Sequence, residues 1–188
     1  FEGISFEKAQ ELYRRGLNYD VCIHVYTKDA VYAYNLTEDE KAYVKNRQEM
    51  TEIFEQNLDF LKGQEIVKVL YTNTDFEYLQ SIDRDLKDIT FDMDVSYSSN
   101  RYIEFNHKGV NKGAGLKQLA QLLHIDMQDT IAIGDNYNDL SMIKMAGLGV
   151  CVQNAAVGIK PDCDYITNAT CEQGAVCEVI EKFVLEGE

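Results

Sequence analysis

The sequence predicts an α/β protein in which an α+β module with a mainly antiparallel sheet precedes part of a doubly wound parallel sheet. After Lys108, short β-branched segments alternate with helical segments, which is the pattern of parallel βα units. Before Lys108, strand patterns occur as pairs joined by short turns, as in hairpins. The chain has 188 residues, 45% of them hydrophobic, which is enough to bury a core. We therefore expect two domains, at residues 1–107 and 108–188.

The first module reads as helices and strands with clear start signals. Ser5 can cap the first helix, and capping boxes start at Thr37 and Thr74, each with a glutamate three residues later. The predicted helices are 5–19, 37–50 and 74–87, all expected on one face of the sheet. The predicted strands are 21–26, 30–34, 65–72, 89–97 and 101–106.

The second part predicts a helix at 112–124 that is amphipathic, with Leu116, Leu119 and Leu123 on one face. Strands at 130–134, 148–152 and 163–167 alternate with helices near 138–146 and 171–185, the last opened by a capping box at Thr170. Short parallel strands with intervening helices place functional groups at the loops that follow the strands.

The charge of the chain argues against two classes of partner. The net charge is −14, and the first 107 residues hold 12 basic and 21 acidic side chains. Such a surface repels nucleic acid and anionic membranes, so we expect neither as a partner. No apolar run approaches the roughly 20 residues of a membrane span, and no signal-peptide core is present, so we expect a cytoplasmic protein.

The cysteines do not form a recognisable framework. There are five, an odd number, and none forms a Cys-x-x-Cys pair. The spacing argues against a disulfide framework and against a zinc site. We expect all five to be reduced, small residues of a cytosolic protein.

Two acids follow the predicted strand at 130–133. Gly134 allows a sharp turn, Asp135 comes at the carboxyl end of the strand, and Asp139 follows four residues later. At this edge of a parallel sheet, such acids can hold a hard cation against a phosphate. The same residues could instead form an Asx turn and a helix cap with local hydrogen bonds only. The stretch alone leaves both interpretations open.

Lys112 lies in the first turn of a predicted helix, where the helix dipole disfavours a cation by about 0.3 to 1 kcal/mol. A lysine there is consistent with anion binding, because the same helix terminus attracts phosphate. Taken alone, Lys112 is better explained as a solvated surface lysine.

Three stretches in order, at 110–116, 134–139 and 149–155, resemble the haloacid dehalogenase-like (HAD) superfamily, and within it the Cof-type, sugar-phosphatase-like hydrolases. The resemblance covers 108–188 by motif and 1–107 only by the order of its elements, which is similar to the family's cap module. It implies a Rossmann-like HAD core, a cap that sets substrate specificity, and phosphatase activity with Mg²⁺ as cofactor.

The resemblance also implies roles for individual residues. Asp135 matches the acid that ligates Mg²⁺, and Lys112 matches the lysine that stabilises the phosphate. Asn138 matches an asparagine that contacts the substrate phosphate. Asp139 is expected to orient Lys112 or a metal-bound water. Asn154 is a weaker candidate for phosphate binding, and a helix N-cap explains it equally well.

One part of the family pattern is absent from these 188 residues. Catalysis in the family uses an Asp-x-Asp motif, whose first acid attacks phosphorus and whose second is general acid and base. Asp92 and Asp94 have the spacing, but they lie in a strand of the first module and lack the following glycine, so we expect two solvent-facing acids. Because the chain starts at Phe1 rather than a methionine and a helical pattern begins at Ser5, we expect a fragment. Because these residues lack the attacking carboxylate, we expect the fragment to be inactive alone.

The sequence is compatible with three functional hypotheses. The first is a fragment of a Mg²⁺-dependent phosphatase that hydrolyses small phosphorylated metabolites, such as sugar phosphates, through an aspartyl-phosphate intermediate. The alternative is a truncated, non-catalytic relative that binds a phosphorylated ligand. A third is a receiver-like domain phosphorylated on Asp135, which leaves Asn138 and the first module without a role.

Overall fold

A computed structural model describes residues 2–185, and the chain divides into two compact units between Val110 and Asn111. We call them unit 1 and unit 2. Unit 1 contains a mainly antiparallel sheet and unit 2 a parallel one. The predicted α/β fold class is confirmed.

The sheet of unit 1 has six strands in the order β3-β2-β1-β4-β6-β5. They are Cys22–Thr27 (β1), Val31–Tyr34 (β2), Thr51–Ile53 (β3), Ile66–Thr72 (β4), Met93–Ser98 (β5) and Tyr102–His107 (β6). All neighbours are antiparallel except β2 and β3, which run parallel. The helices are Phe6–Gly16 (α1), Glu38–Val44 (α2), Phe76–Asp85 (α3) and Lys87–Thr90 (α4).

The core of unit 1 lies between one face of this sheet and the helices α1 and α3. Alternate strand residues point into it, because side chains along a strand alternate between faces. Tyr71 and Phe105 are fully buried there, with ring centroids 4.9 Å apart, and the Tyr71 hydroxyl donates to the carbonyl of Leu12 on α1. The core also includes Ile23, Val25, Val69, Leu79, Ile82 and Ile103.

Helix α2 lies on the opposite face of the sheet, so the prediction that all helices share one face is wrong. Its Glu40 is buried and accepts hydrogen bonds from Arg101 Nη2 at 2.8 Å, Tyr102 Oη at 2.7 Å and Thr72 Oγ1 at 3.3 Å. These partners occupy strand positions and a turn on the polar face. A buried carboxylate needs such donors, and this face provides three of them.

Several local boundaries in unit 1 differ from the sequence-based ones. Thr37 caps α2 as predicted, but the helix ends at Val44 and not near residue 50. Asp75, not Thr74, caps α3 by accepting from the N–H of Tyr78. Residues 87–90 form α4, so β5 begins later than predicted, because Thr90 completes a helical turn by bonding the carbonyl of Leu86.

Unit 2 contains a three-stranded parallel sheet in the order β7-β8-β9. Its strands are Ile131–Gly134 (β7), Leu148–Cys151 (β8) and Tyr165–Ile166 (β9). Its helices are Lys112–Leu123 (α5), Leu140–Met145 (α6) and Ala175–Ile180 (α7), the last continued by a π-helical turn at Glu181–Leu185. The predicted capping box at Thr170 opens a 3₁₀ turn before α7.

The buried cluster of unit 2 is small and consists of Ile143, Cys151, Val152, Ala155, Ile159 and Ala175. The apolar face predicted for α5 exists but is largely exposed: Leu119 is 54% and Leu123 58% exposed. Between residues 2 and 185 no helix is both long and apolar enough to cross a membrane.

The prediction that all five cysteines are reduced is wrong for two cysteines of unit 2. The structure pairs Cys151, the last residue of β8, with Cys163 in a disulfide, their Cα atoms 5.8 Å apart. Cys22, Cys171 and Cys177 are free. The pair is separated by 12 residues in sequence and meets only because the chain returns to the sheet before β9, which spacing alone does not reveal.

Candidate phosphate- and metal-binding site

The candidate site lies at the carboxyl end of β7, where Gly134 leads directly to Asp135. A side chain at Gly134 would not fit, because its Cβ would lie 2.4 Å from the Cβ of Asp139. Glycine therefore allows the segment after the strand to fold back tightly. The second acid is brought beside the first by this close approach.

Asp139 is the centre of the hydrogen-bonding network. Only 3% of the residue is exposed. Its Oδ2 accepts from the backbone N–H of Asp135 at 2.9 Å and of Asn136 at 3.1 Å, while Oδ1 accepts from Lys112 Nζ. Asp139 is thus held in one position and in turn holds the ammonium group.

Lys112 reaches this carboxylate because α5 and α6 approach closely at their first turns. Asn111 caps α5. Two residues later, Gly113 donates its N–H to Ser141 Oγ at 3.0 Å. A Cβ at Gly113 would lie 2.6 Å from the carbonyl oxygen of Ser141. A side chain at this position would separate the two helices and move Lys112 away from Asp139.

The two acids have opposite electrostatic environments. Partial desolvation and the nearby carboxylate of Asp139 raise the pKa of Asp135. Burial alone would raise the pKa of Asp139, but the hydrogen bonds from Lys112 and from two backbone N–H groups outweigh it and lower that pKa. Asp139 is therefore the more stable anion of the pair. Asp135 is the carboxylate whose charged form a bound cation would stabilise.

The two predicted asparagines differ in their surroundings. Asn138 lies in the 3₁₀ turn Tyr137–Asp139 and is half-buried beside the network. Asn154 follows β8, in a loop that the N–H of Ala156 ties to the carbonyl of Asp135 at 2.9 Å. Its side-chain amide bonds Cys171 instead, accepting from that residue's N–H at 3.1 Å and donating to its Sγ at 3.4 Å.

The donors at this edge fit a magnesium ion. Within residues 2–185, no group of three or more His, Cys, Asp or Glu side chains is arranged to hold a metal. Mg²⁺ does not require one, since it usually binds one or two protein carboxylates and takes waters and substrate phosphates for the rest. Asp135, whose pKa is raised by partial burial and by the neighbouring carboxylate of Asp139, is the residue that would ligate it.

Two further residues shape the site and were not identified from the sequence. Asn136 accepts from the N–H of Tyr137 at 2.8 Å and forms a capping box with Asp139, a pattern that its spacing could have indicated. Ser141 holds Gly113, and nothing local to Ser141 indicates that contact, because the two residues lie 28 positions apart.

Comparison with known proteins places these features in a family. The haloacid dehalogenase-like hydrolases match residues 2–180. The chain belongs to this family. The resemblance to this family found in the sequence is therefore confirmed. A HAD subclass IIB sugar phosphatase has the same fold: it superimposes with a TM-score of 0.84 at 16% identity, over 97% of this chain and 68% of that one.

Two other known proteins are similar in sequence as well. A haloacid dehalogenase-like hydrolase from Bacteroides thetaiotaomicron is 28% identical with a TM-score of 0.73, over 97% of this chain and 68% of that one. The 5-amino-6-(5-phospho-D-ribitylamino)uracil phosphatase of Bacillus subtilis is 40% identical over 94 residues. Those residues are 50% of this chain and only 37% of that relative, so the match spans little more than a third of the relative's length.

Proposed function

We propose that this chain is the magnesium- and phosphate-binding part of a HAD phosphatase that hydrolyses small phosphorylated metabolites through an aspartyl-phosphate intermediate. The observation that carries the proposal is the buried Asp139 carboxylate, which holds Lys112 beside Asp135 at the end of a parallel strand. The residues at 108–188 would form part of the catalytic core, and those at 1–107 a cap that sets specificity. Relatives named as phosphatases of sugars and of a phosphoribityl compound support the substrate class.

Each site residue has a distinct task in this proposal. Asp135 would ligate Mg²⁺, which when bound supplies positive charge to the phosphoryl oxygens. Lys112 donates to a phosphoryl oxygen as a point charge, and Asp139 keeps its ammonium group in place. Asn138 donates its amide to the same group. Asn154 can do so only after releasing Cys171.

The attacking carboxylate is not supplied by the pair with the right spacing. Asp92 binds Lys8 Nζ at 2.7 Å, and Asp94 accepts from the N–H of Gly109 at 3.0 Å. Both are engaged within unit 1, at β5 and just before it. We therefore propose that the 188-residue chain does not turn over phosphate esters, and that the nucleophile and the general acid and base belong to a segment outside it.

Titration calorimetry with inorganic phosphate and Mg²⁺ tests the binding half of this proposal. Lys112→Ala should weaken phosphate binding about tenfold or more, because a charge-assisted hydrogen bond is lost. Lys117→Ala removes an exposed lysine from the same helix and is the matched control, with no expected change. Equal affinity of the Lys112→Ala variant and the unaltered chain would refute the site.

A hydrolysis assay with p-nitrophenyl phosphate and Mg²⁺ tests the catalytic half. The 188-residue chain should show no turnover, and a longer protein that includes an Asp-x-Asp segment should show it. Turnover by the 188-residue chain would contradict the proposed absence of a nucleophile. Phosphate binding without hydrolysis in the longer protein would favour the alternative, a non-catalytic relative that binds a phosphorylated ligand.

A further inference from the structure

The disulfide of unit 2 lies at the same edge of the sheet as the candidate site. Cys151 is the last residue of β8, and it pairs in register with Gly134, the residue just before Asp135. The bond to Cys163 closes the intervening segment into a covalent loop. We call residues 152–162 the β8 loop. Whatever changes the bond therefore changes a segment that begins beside the candidate metal ligand.

The β8 loop contacts the turn that carries both site acids. The N–H of Ala156 donates to the carbonyl of Asp135 at 2.9 Å. Two residues later, Gly158 lies against the side chain of Tyr137, and a Cβ added to this glycine would come within 2.4 Å of the Tyr137 hydroxyl oxygen. The loop therefore touches the turn at 134–139 through both its backbone and a side chain, and the order of the loop affects the geometry of the turn.

The surroundings of the two cysteines suit the reduced state as well as the oxidised one. The carbonyl oxygen of Ile159 lies 3.9 Å from Cys151 Sγ and 3.4 Å from Cys163 Sγ, so each thiol would have an acceptor for its proton. Two hydrogen bonds of 2.8 Å join Gly149 on β8 to Asp164, and neither depends on the disulfide. Reduction should therefore leave the sulfurs close together, and this proximity favours formation of the bond again.

The two cysteines differ in their access to solvent. Cys151 is 0% exposed and belongs to the buried cluster of unit 2. Cys163 is half-buried and packs at the margin of that cluster. Exchange between a disulfide and a thiol requires that the attacking sulfur reach its target. A thiol or disulfide from solution therefore reacts at Cys163, and Cys151 is the sulfur that completes the bond or leaves it.

We propose that Cys151 and Cys163 form a reversible thiol–disulfide switch that controls the order of the β8 loop and, through it, the affinity of the neighbouring site for phosphate. The effect on affinity rests on the proposed function, whereas the effect on the loop does not. When the bond is present, the loop is closed at its base and has fewer open conformations. When the bond is reduced, the loop opens more often and releases the turn at 134–139.

The oxidant of this switch is a small-molecule disulfide such as oxidised glutathione. The Cys163 thiolate attacks one glutathione sulfur, which forms a mixed disulfide and releases the first glutathione thiolate. The Cys151 thiolate then attacks Cys163 Sγ and releases the second. The two protein thiols lose two electrons and two protons, and one oxidised glutathione becomes two reduced ones. Attack of reduced glutathione on Cys163 Sγ reverses the sequence, with Cys151 as the leaving thiolate.

Peptide mapping and amide hydrogen exchange of the 188-residue chain test the switch. After equilibration with oxidised glutathione, mapping should find Cys151 linked to Cys163, and after reduced glutathione both should react with an alkylating agent. Amides of the β8 loop and of the turn at 134–139 should exchange at least about tenfold more slowly in the oxidised chain. A pair that stays in one state under both treatments, or equal exchange rates in the two states, would overturn the proposal.

Titration of both forms with inorganic phosphate and Mg²⁺ tests the link to the site. The oxidised chain should bind phosphate at least about threefold more tightly, because the reduced chain is competent to bind only while its loop is closed. Equal affinity of the two forms would refute control of the site by the pair. Failure of both forms to bind phosphate would instead refute the proposed function, and with it the effect on affinity, while the exchange rates decide the effect on the loop.

Two variants show which cysteines respond. Cys163→Ser should behave like the reduced chain under both glutathione treatments, in exchange rates and in phosphate affinity. Cys177→Ser removes an exposed free cysteine and is the matched control, with the response of the unaltered chain. A response that persists in Cys163→Ser, or one that disappears in Cys177→Ser, would sink the assignment. The two states of the unaltered chain share one sequence, so their comparison stays decisive even if Cys163→Ser folds poorly.

Discussion

The two units differ in how they are stabilised. Unit 1 has a six-stranded sheet over a core with fully buried tyrosines and a phenylalanine, whereas unit 2 has three short strands over a small buried cluster. In unit 2 several large apolar side chains are exposed, among them Leu119, Leu122, Leu123, Val176, Ile180 and Val184. Yet unit 2 contains the candidate catalytic residues. The unit with the larger buried core, unit 1, is therefore not the one that carries the proposed chemistry.

The candidate site in unit 2 depends on directed contacts more than on apolar burial. Asp139 is held by two backbone N–H groups and by Lys112, and Gly113 is held by Ser141. Hydrogen bonds restrict orientation as well as distance, so a small unit can still place a charge accurately. This difference predicts that substitutions in unit 1 act mainly on stability and those at the site act mainly on geometry.

The largest expected effect is the difference in stability between truncating a buried apolar side chain of unit 1 and an exposed one of unit 2. Phe105→Ala should lower the free energy of unfolding of unit 1 by about 3 to 5 kcal/mol, because it leaves a cavity in a fully buried core. Leu122→Ala, at a residue that is 77% exposed, should change the stability of unit 2 by less than about 0.5 kcal/mol. Urea unfolding followed by NMR signals from each unit measures both. Comparable losses in the two variants would mean that Leu122 is buried in solution.

Acid should destabilise unit 1 through His24. Burial, with the positive charges of Lys68 and Arg101 adding to it, lowers the pKa of His24 to about 4. An unfolded histidine has a pKa near 6.5, so between pH 6.5 and 4 the unfolded state binds the proton more readily. The free energy of unfolding of unit 1 should therefore fall as the pH falls through this window, by up to about 3 kcal/mol. Above pH 6.5 this group contributes no pH dependence.

Glu40 does not reverse this effect, although its Oε1 lies 3.7 Å from His24 Nε2. Its carboxylate already accepts from Arg101 and Tyr102, which offsets its attraction for a proton on the imidazole. Urea unfolding at a series of pH values checks the prediction. His24→Gln should flatten the pH dependence, and His124→Asn, at an exposed histidine in unit 2, should not. An unchanged slope in His24→Gln would assign the acid sensitivity to other groups.

Alanine substitutions at two glycines of α5 should have smaller effects on stability, and effects of opposite sign. Gly113→Ala brings a Cβ to 2.6 Å from the backbone oxygen of Ser141, and should cost about 1 to 3 kcal/mol and weaken phosphate binding. Gly115→Ala meets no atom within 4 Å and should stabilise the helix by about 0.5 to 1 kcal/mol with phosphate binding unchanged. Thermal unfolding and phosphate titration of both variants test this. The same sign of change in the two variants would show that the approach of α5 to α6 is not needed.

The elements that were predicted well are those with strong local signals. The parallel strands β7 and β8 follow from short β-branched runs between helices, and Ser5 and Thr37 cap their helices as predicted. The observed boundaries differ from the predicted ones where a helical turn takes residues that were predicted to be in a strand. Thr90 is an example, since its hydroxyl donates to the carbonyl of Leu86 in the preceding helical turn. β3 was not predicted, since three residues with one buried side chain give little periodicity.

The sequence by itself determined the fold class, the family, and the residue types at the end of β7, because these depend on local pattern and on motifs in a set order. Only the tertiary structure decided that α2 covers the polar face, that Cys151 meets Cys163, and that Ser141 holds Gly113. Each of these contacts joins segments that are distant in the chain. They follow from which faces the sheets and helices present to each other, and a local pattern contains no information on that.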